Sequence, residues 1–439
     1  GGRLDAFAKA VLGAGFTPAK ATQVKKDFSD WVKQFGDFMD RSLPTSPWGP
    51  ARLDAFGMIF NRVAARDLGL EKSPHNNFRL ADAPVSYPFL WNASRQDHTQ
   101  WNGAVPNGLF IRGLVRNTGE VYGVFARFAP TLKHRETRLT PTIIDFSDNS
   151  ADFDGLQTLE EKIATLKPPP WPRDIWPIND DLAKRGAGLF TQYCAECHAQ
   201  RQSGDLPHAW ATPVRAVGTD PKMATNATRT SDPGIYLGAL RPPPAVAARF
   251  ANPASTAEML GTSVIGSLFD EAFSLPITPK KIDQSGVWRA VRKDLEDLLP
   301  DEKLDNLARL NQLDEIKSLL RVKLANMFVK PRTADAGAAY ESRVLYGIWA
   351  TAPYLHNGSV PSLWELMLPP ERRSTTFKVG SRRFDPKNVG YATDETPFKS
   401  GIFVADPENA NGNGNGGHVY GKDLSDDDRW TIVEYLKTL

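Results

Sequence analysis
Cys194, Cys197 and His198 stand together in the string Tyr193-Cys-Ala-Glu-Cys-His198, which holds both cysteines of the 439-residue chain. A Cys-x-x-Cys-His pentapeptide is the attachment signal for a c-type haem. Two thiols at this spacing can form thioethers to the vinyl groups, and the adjoining imidazole becomes the proximal iron ligand. A thioredoxin-like redox pair would share the Cys-x-x-Cys spacing but follow a strand in a βαβ pattern, and a zinc site would need further Cys or His close by. Neither context surrounds Cys194. The expectation is therefore one covalent haem c, held by Cys194, Cys197 and His198.

Two elements must position these residues. Residues 181–193 read as a helix that puts Gly186, Phe190 and Cys194 four apart on one face. Residues 424–439 read as another, with Ser425 as N-cap, Asp428 three residues on, and an apolar stripe of Ile432, Tyr435, Leu436 and Leu439. The pair resembles the first and last helices of a cytochrome c, in which a small residue permits close helix crossing and an aromatic one packs near the haem. More than 200 residues separate Cys194 from the terminal helix. The excess is read as an insertion around residues 235–335, within which 282–328 is strongly charged and largely helical in pattern.

Composition adds bounds. At roughly 100–200 residues per domain, this length implies two or three units, and a hydrophobic content of 41% supplies real cores. The formal charge of +2, from 53 basic and 51 acidic residues, gives no support for nucleic-acid binding. No apolar run approaches the roughly 18 residues of a membrane span. The 34 prolines and 34 glycines point to long irregular connections, and residues 409–417 form an Asn/Gly-rich stretch expected to be flexible. Residues 1–70 read as helices at 3–12, 19–39 and 51–68, the last with Leu53, Phe56, Ile59, Phe60 and Val63 on one side. Residues 80–140 read as loop with short strands or helices. A helix at 157–166 then leads to the stiff linker Lys167-Pro-Pro-Pro-Trp-Pro172. Haem c ligation takes place outside the cytoplasmic membrane, so a bacterial periplasmic or secreted location is expected. The chain opens Gly1-Gly-Arg without an initiating Met, which reads as a processed chain or a fragment.

Several strings carry a family resemblance: Ala81-Asp-Ala-Pro-Val-Ser-Tyr-Pro-Phe-Leu-Trp91, Gln100-Trp-Asn-Gly103, Arg116-Asn-Thr-Gly-Glu-Val-Tyr-Gly-Val-Phe125, Tyr346-Gly-Ile-Trp-Ala-Thr-Ala-Pro-Tyr-Leu-His-Asn-Gly-Ser-Val-Pro-Ser-Leu363 and Gly417-His-Val-Tyr-Gly421. They resemble the dihaem cytochrome c peroxidase superfamily, most closely the large branch that includes the dihaem rubber oxygenases. Members of that family carry two Cys-x-x-Cys-His motifs, and this chain has one. The resemblance implies that Cys194, Cys197 and His198 correspond to the second, electron-transferring haem. The first, reactive haem domain would be cleaved, on a separate polypeptide, or lost.

The chain has seven histidines and six methionines, and the sixth iron ligand has to come from these, His198 apart. The resemblance favours His418, in the Gly-His-x-Tyr-Gly segment, with the Asn/Gly run folding its imidazole over the haem. His356, Met367 and Met259 are the other candidates, and for the methionines a core gap-filling role competes. Bis-His ligation would lower the potential relative to His/Met, and either leaves no open iron site. His75, His98, His134 and His208 read as surface or hydrogen-bonded residues. Trp91, Trp101, Tyr122 and Phe125 read as core, although the resemblance would make Trp101 and residues 117–125 a wall over the first haem, with Glu120 as an acid/base.

The fold expected is mainly α. A helical and loop-rich region at 1–175 would flank the absent first haem domain, and a cytochrome c-like domain with a long insertion would occupy 176–439. The expected function is electron transfer within a peroxidase-like dihaem oxidoreductase. Alternatives are a non-enzymatic monohaem carrier or structural cytochrome, and a five-coordinate enzyme with iron on His198. A small cytochrome or cupredoxin is the redox partner these readings imply.

Overall fold
The computed structural model describes residues 2–66, 77–124, 126–133, 143–204, 206, 208–237, 250–273, 285–298, 339–398, 401–406 and 411–439. They are mostly helical, with seven antiparallel two-stranded ladders of two or three residues per strand among them. His75, His134 and Phe125 lie outside the described residues, as does most of the expected insertion.

The chain opens with α1 (Gly2–Leu12) and α2 (Pro18–Ser42). Thr17 caps α2 by accepting from the Lys20 N–H at 3.2 Å, and Pro18 occupies a first-turn position where no donor is required. The third helix, α3 (Ala55–Asn61), starts later than its apolar pattern suggests. Arg52 and Leu53 are drawn into a ladder with Ser86 and Val85, and Asp54 then caps the helix by accepting from the Gly57 N–H at 2.8 Å. A π-helical turn at Arg62–Arg66 carries the buried Val63.

Residues 80–140, read as loop with short elements, contain the 15-residue helix α4 (Phe110–Val124). Glycines at 113, 119 and 123 hid it, since each costs about 1 kcal/mol against alanine in a helix interior. Close packing explains two of them. A Cβ on Gly123 would come within 2.2 Å of Ile59, and one on Gly113 within 2.5 Å of a Glu160 carboxylate oxygen. Glu160 belongs to α5 (Phe153–Ile163) and pairs with Arg116 of α4.

Three more helices follow α5 in the chain. These are α6 (Asp180–Tyr193), the single turn α7 (Ala195–His198) and α8 (Lys222–Asn226). In α9 (Thr256–Phe273), residues 261–268 are buried on every side, as expected of a helix running through a core. Its Val264, Ile265 and Leu268 pack with Leu114 and Tyr122 of α4, Phe146, Tyr236 and Trp288. Trp288 belongs to α10 (Gly286–Leu298), the described part of the segment read as charged and helical.

A second core forms around α6, α11 (Leu363–Met367) and α12 (Asp426–Leu436). The proline stretch at 167–172 is packed onto this core and does not stand free as a spacer. Trp171 is 6% exposed, donates to the Trp176 carbonyl at 2.6 Å and meets Trp349 edge to face at 5.3 Å.

Candidate functional site
The attachment motif is placed by the crossing of α6 and α12. Asn179 caps α6 by accepting from the Leu182 N–H at 3.1 Å, and Asp180 and Asp181 suit the positive end of the helix. Where the two helices cross, a Cβ on Gly186 would lie 1.9 Å from the Thr431 carbonyl oxygen, so no side chain fits without moving a helix. One turn later Phe190 packs on Tyr435, with ring centres 5.1 Å apart. The Cys194 N–H then donates to the Phe190 carbonyl at 2.8 Å, and α7 follows at once. Arg201 donates to the Glu196 and Ala195 carbonyls at 2.8 and 2.9 Å, satisfying the end of that short helix.

Cys194, Cys197 and His198 face one cavity, with about 1270 Å³ of empty space that includes open solvent at its mouth. His198 Nδ1–H donates to the Arg343 carbonyl at 2.7 Å, which fixes the tautomer and leaves the other ring nitrogen as an acceptor. Burial holds His198 below the ordinary imidazole range, so the ring is neutral, the form that binds metal. Burial, with Cys197 adding to it, pushes the Cys194 thiol up to about 11.

His418 stands across the cavity. Its ring centre is 6.2 Å from that of His198, with the planes at 57°. Two imidazoles sharing one metal at about 2.0–2.1 Å per bond have ring centres about 6 Å apart. One buried nitrogen of His418, Nδ1, has no hydrogen-bond partner. Burial, His198 and Arg373 together hold this imidazole down at about 3, so it too is neutral. The spacing and the leucine- and isoleucine-rich walls of the cavity fit a haem plane between the two rings.

The Asn/Gly run before His418 is fixed where it is described. Asn357 donates through its side chain to the Gly412 and Gly414 carbonyls at 3.0 and 2.8 Å, and Asp220 accepts from the Gly414 N–H at 3.0 Å. Here the glycines permit close crossing instead of supplying flexibility. Gly417, at φ +69°, passes so near Gly218 that a Cβ would sit 2.2 Å from its carbonyl carbon. His418 itself has φ +50°, an uncommon conformation for a non-glycine residue, and its N–H donates to the Val217 carbonyl at 2.7 Å.

The other candidates separate clearly. Met259 is fully buried in the central core on α9 and does not line the cavity. Met367 and His356 do line it. His356 is stacked on Tyr340, with ring centres 3.9 Å apart and planes at 14°, and burial together with Arg52 holds it at about 3. His208 is exposed, and His98 sits beside Asp97 at 3.2 Å.

Trp101, read as core, lines the cavity and donates to the Ser86 carbonyl at 2.8 Å. Tyr122 is in the central core, Trp91 donates to the Tyr346 carbonyl at 2.7 Å, and Glu120 accepts from Gln100 at 2.9 Å outside the cavity lining. Sequence reasoning missed the wall formed by Ser86, Tyr87, Pro88 and Phe89, and the roles of Arg343, Asn357 and Asp220. Residues 86–89 and Asn357 had a signal, their places in the Ala81–Trp91 and His-Asn-Gly-Ser strings; Arg343 and Asp220 had none.

Together, the motif, the helix crossing and the paired imidazoles describe a c-type cytochrome, and residues 339–378 match the family described as RoxA-like, cytochrome c-like. A cytochrome c-like match of this kind implies haem c as cofactor. The chain belongs to the family of the uncharacterized protein y4iJ of Sinorhizobium fredii (strain NBRC 101917 / NGR234), with which it is 30% identical over 460 residues, covering 100% of this chain and 68% of y4iJ. The uncharacterized protein y4iM of the same strain is 44% identical over 78 residues, 18% of this chain and 17% of y4iM. No helix among the described residues is long and apolar enough to cross a membrane.

Proposed function
We propose that this chain is an electron-transferring cytochrome carrying one haem c, with Cys194 and Cys197 as covalent anchors and His198 and His418 as the two axial ligands. The 6.2 Å spacing of the two imidazoles carries this reading. The haem, when bound, supplies reversible one-electron exchange. The chain's own residues hold and insulate it. Cys194 and Cys197 would bind it through sulfur, and Arg343 keeps His198 in the ligating tautomer through its carbonyl. Leu345, Ile348, Leu363, Leu366, Ile432 and Leu436 line the cavity and exclude water, which lets the site change oxidation state without rebuilding a solvent shell.

With both axial positions filled from the chain, substrate chemistry belongs elsewhere. The family resemblance supports a role as the electron-transfer part of a peroxidase-like dihaem oxidoreductase, whose reactive haem domain would lie outside these 439 residues. The length of y4iJ beyond the match accords with this. Residues 1–175 would then flank that domain, residues 176–439 would form the cytochrome unit, and both would work in the periplasm or outside the cell. A small cytochrome or cupredoxin would exchange electrons with it. The same filled axial positions also favour a second reading, a monohaem carrier that works as it stands.

The test is a redox titration of the haem-loaded chain, followed by peroxide and an electron-donor protein in turnover. A reversible one-electron couple is expected, with no peroxide turnover by the chain alone. Sustained peroxide turnover by the single-haem chain would overturn the assignment of a closed, six-coordinate site.

A further inference from the structure
Arg373 is 4% exposed and has every one of its guanidinium hydrogens engaged, yet none of its partners is a carboxylate. Nε donates to the Leu368 carbonyl at 3.1 Å. One terminal nitrogen donates to the carbonyls of Asn415 and Gly417 at 2.6 and 3.0 Å, and the other to those of Leu366 and His418, both at 3.4 Å. The nearest acid, Glu365, spends both oxygens on the N–H and hydroxyl of Ser374, at 2.8 and 2.9 Å. Glu365 and Glu371 therefore act on Arg373 only through space. A buried cation without a bonded counter-charge is costly, so its place in the fold needs a reason.

The geometry supplies one. The guanidinium joins α11, whose Leu366 carbonyl it binds, to three carbonyls of the loop that ends in His418. That loop holds His418 at φ +50°, a conformation a non-glycine residue in an unsupported loop would leave. We infer that Arg373 is a positioning residue for His418, clamping the loop so that the imidazole stays 6.2 Å from His198, and that its unneutralised charge raises the potential of the site. The inference rests on His418 being the second axial ligand. A planar fork is required because the acceptors spread over two segments, and a lysine ammonium, with three donors on one atom, cannot reach them all. The positive charge favours the reduced, less positive iron.

The experiment uses the full haem-loaded chain in four forms: wild type, His418→Ala, Arg373→Lys and Arg373→Gln. The spin state is read by absorption and electron paramagnetic resonance, and the midpoint potential by titration. Wild type is expected low-spin and His418→Ala high-spin. Arg373→Gln is expected to raise the high-spin fraction about 10–100-fold, the usual range for losing an outer partner of a metal ligand. Added imidazole should restore its low-spin spectrum, which shows that the rest of the site is folded. Its potential should fall, while that of Arg373→Lys, which keeps the charge, falls less.

If His418→Ala keeps the wild-type spectrum, the ligand assignment fails and the inference fails with it. If His418→Ala becomes high-spin but Arg373→Gln keeps the wild-type spin state, the ligand assignment stands and the role of Arg373 is overturned. Equal falls in potential for the Lys and Gln variants also overturn it.

Discussion

Replacing Gly186 by alanine puts a single methyl group at the closest approach in the haem region. The new Cβ would lie 1.9 Å from the Thr431 carbonyl oxygen, 2.5 Å from its carbonyl carbon and 2.9 Å from the Tyr435 Cβ. Ordinary contact begins beyond about 3 Å, so α6 and α12 must separate by roughly 1 Å at their crossing. Overpacking of this kind costs about 3 kcal/mol when backbone must shift. Alanine returns about 1 kcal/mol of helix propensity, leaving a net loss of about 2 kcal/mol.

Gly188, on the same helix, is the internal control. It is exposed, and a Cβ there meets nothing within 4 Å, so Gly188→Ala should gain about 0.5–1 kcal/mol from propensity alone. Urea unfolding followed by the signal of the haem region should move the midpoint down by roughly 1 M for Gly186→Ala and slightly up for Gly188→Ala. If Gly186→Ala leaves the midpoint unchanged or raises it as Gly188→Ala does, the crossing does not require a glycine and the packing argument is wrong.

Other perturbations have equally definite signs. Arg116 and Glu160 form a buried ion pair, with side chains 9% and 3% exposed, so Glu160→Ala should cost about 3–5 kcal/mol by stranding the guanidinium, measured by denaturant unfolding. Ser425 caps α12 by accepting from the Asp428 N–H at 3.1 Å. Ser425→Ala should cost about 1 kcal/mol by the same measurement. Burial pushes Asp97 up, but the neighbouring His98, with its Nδ1 at 3.2 Å, and donation from the N–H and hydroxyl of Thr212 outweigh it and bring the carboxyl down to about 2. A depressed carboxyl stabilises the fold above its unfolded value of about 3.9 and loses that contribution as pH falls toward 2. Asp97→Asn should therefore be less stable than wild type at neutral pH and show a shallower loss of stability between pH 4 and 2. A loss as steep as wild type's would refute the assignment.

How legible the molecule was from its sequence depended on the range of the interaction. The helix at 181–193 and its capped counterpart at 424–439 were visible because their caps, small residue and apolar stripes are local patterns, and the structure places their ends within three residues. Helix α4 was not visible, because the glycines that weaken its pattern are there for contacts with Ile59 and Glu160, far away in the chain. The same applies at the cavity. His418 could be singled out by its segment, but its placement depends on Asn357, which sits in a string of its own, and on Asp220 and Arg373, which carry no motif; all three approach from other parts of the chain. The Asn/Gly run looked flexible in composition. Its partners hold the carbonyls of Gly412, Gly414, Asn415 and Gly417 in place. Trp101 could not be assigned to the cavity from sequence, since a tryptophan packed in a core and one lining a pocket leave the same trace.

The central claim, a haem covalently anchored at Cys194 and Cys197, is tested most directly by denaturing the chain after expression with the haem-ligation machinery and counting haem by pyridine haemochrome after acid extraction. The account predicts one haem per chain that stays with the polypeptide, and its loss to extraction when both cysteines are changed to alanine. Haem that extracts freely from the unaltered chain, or none at all, would contradict it.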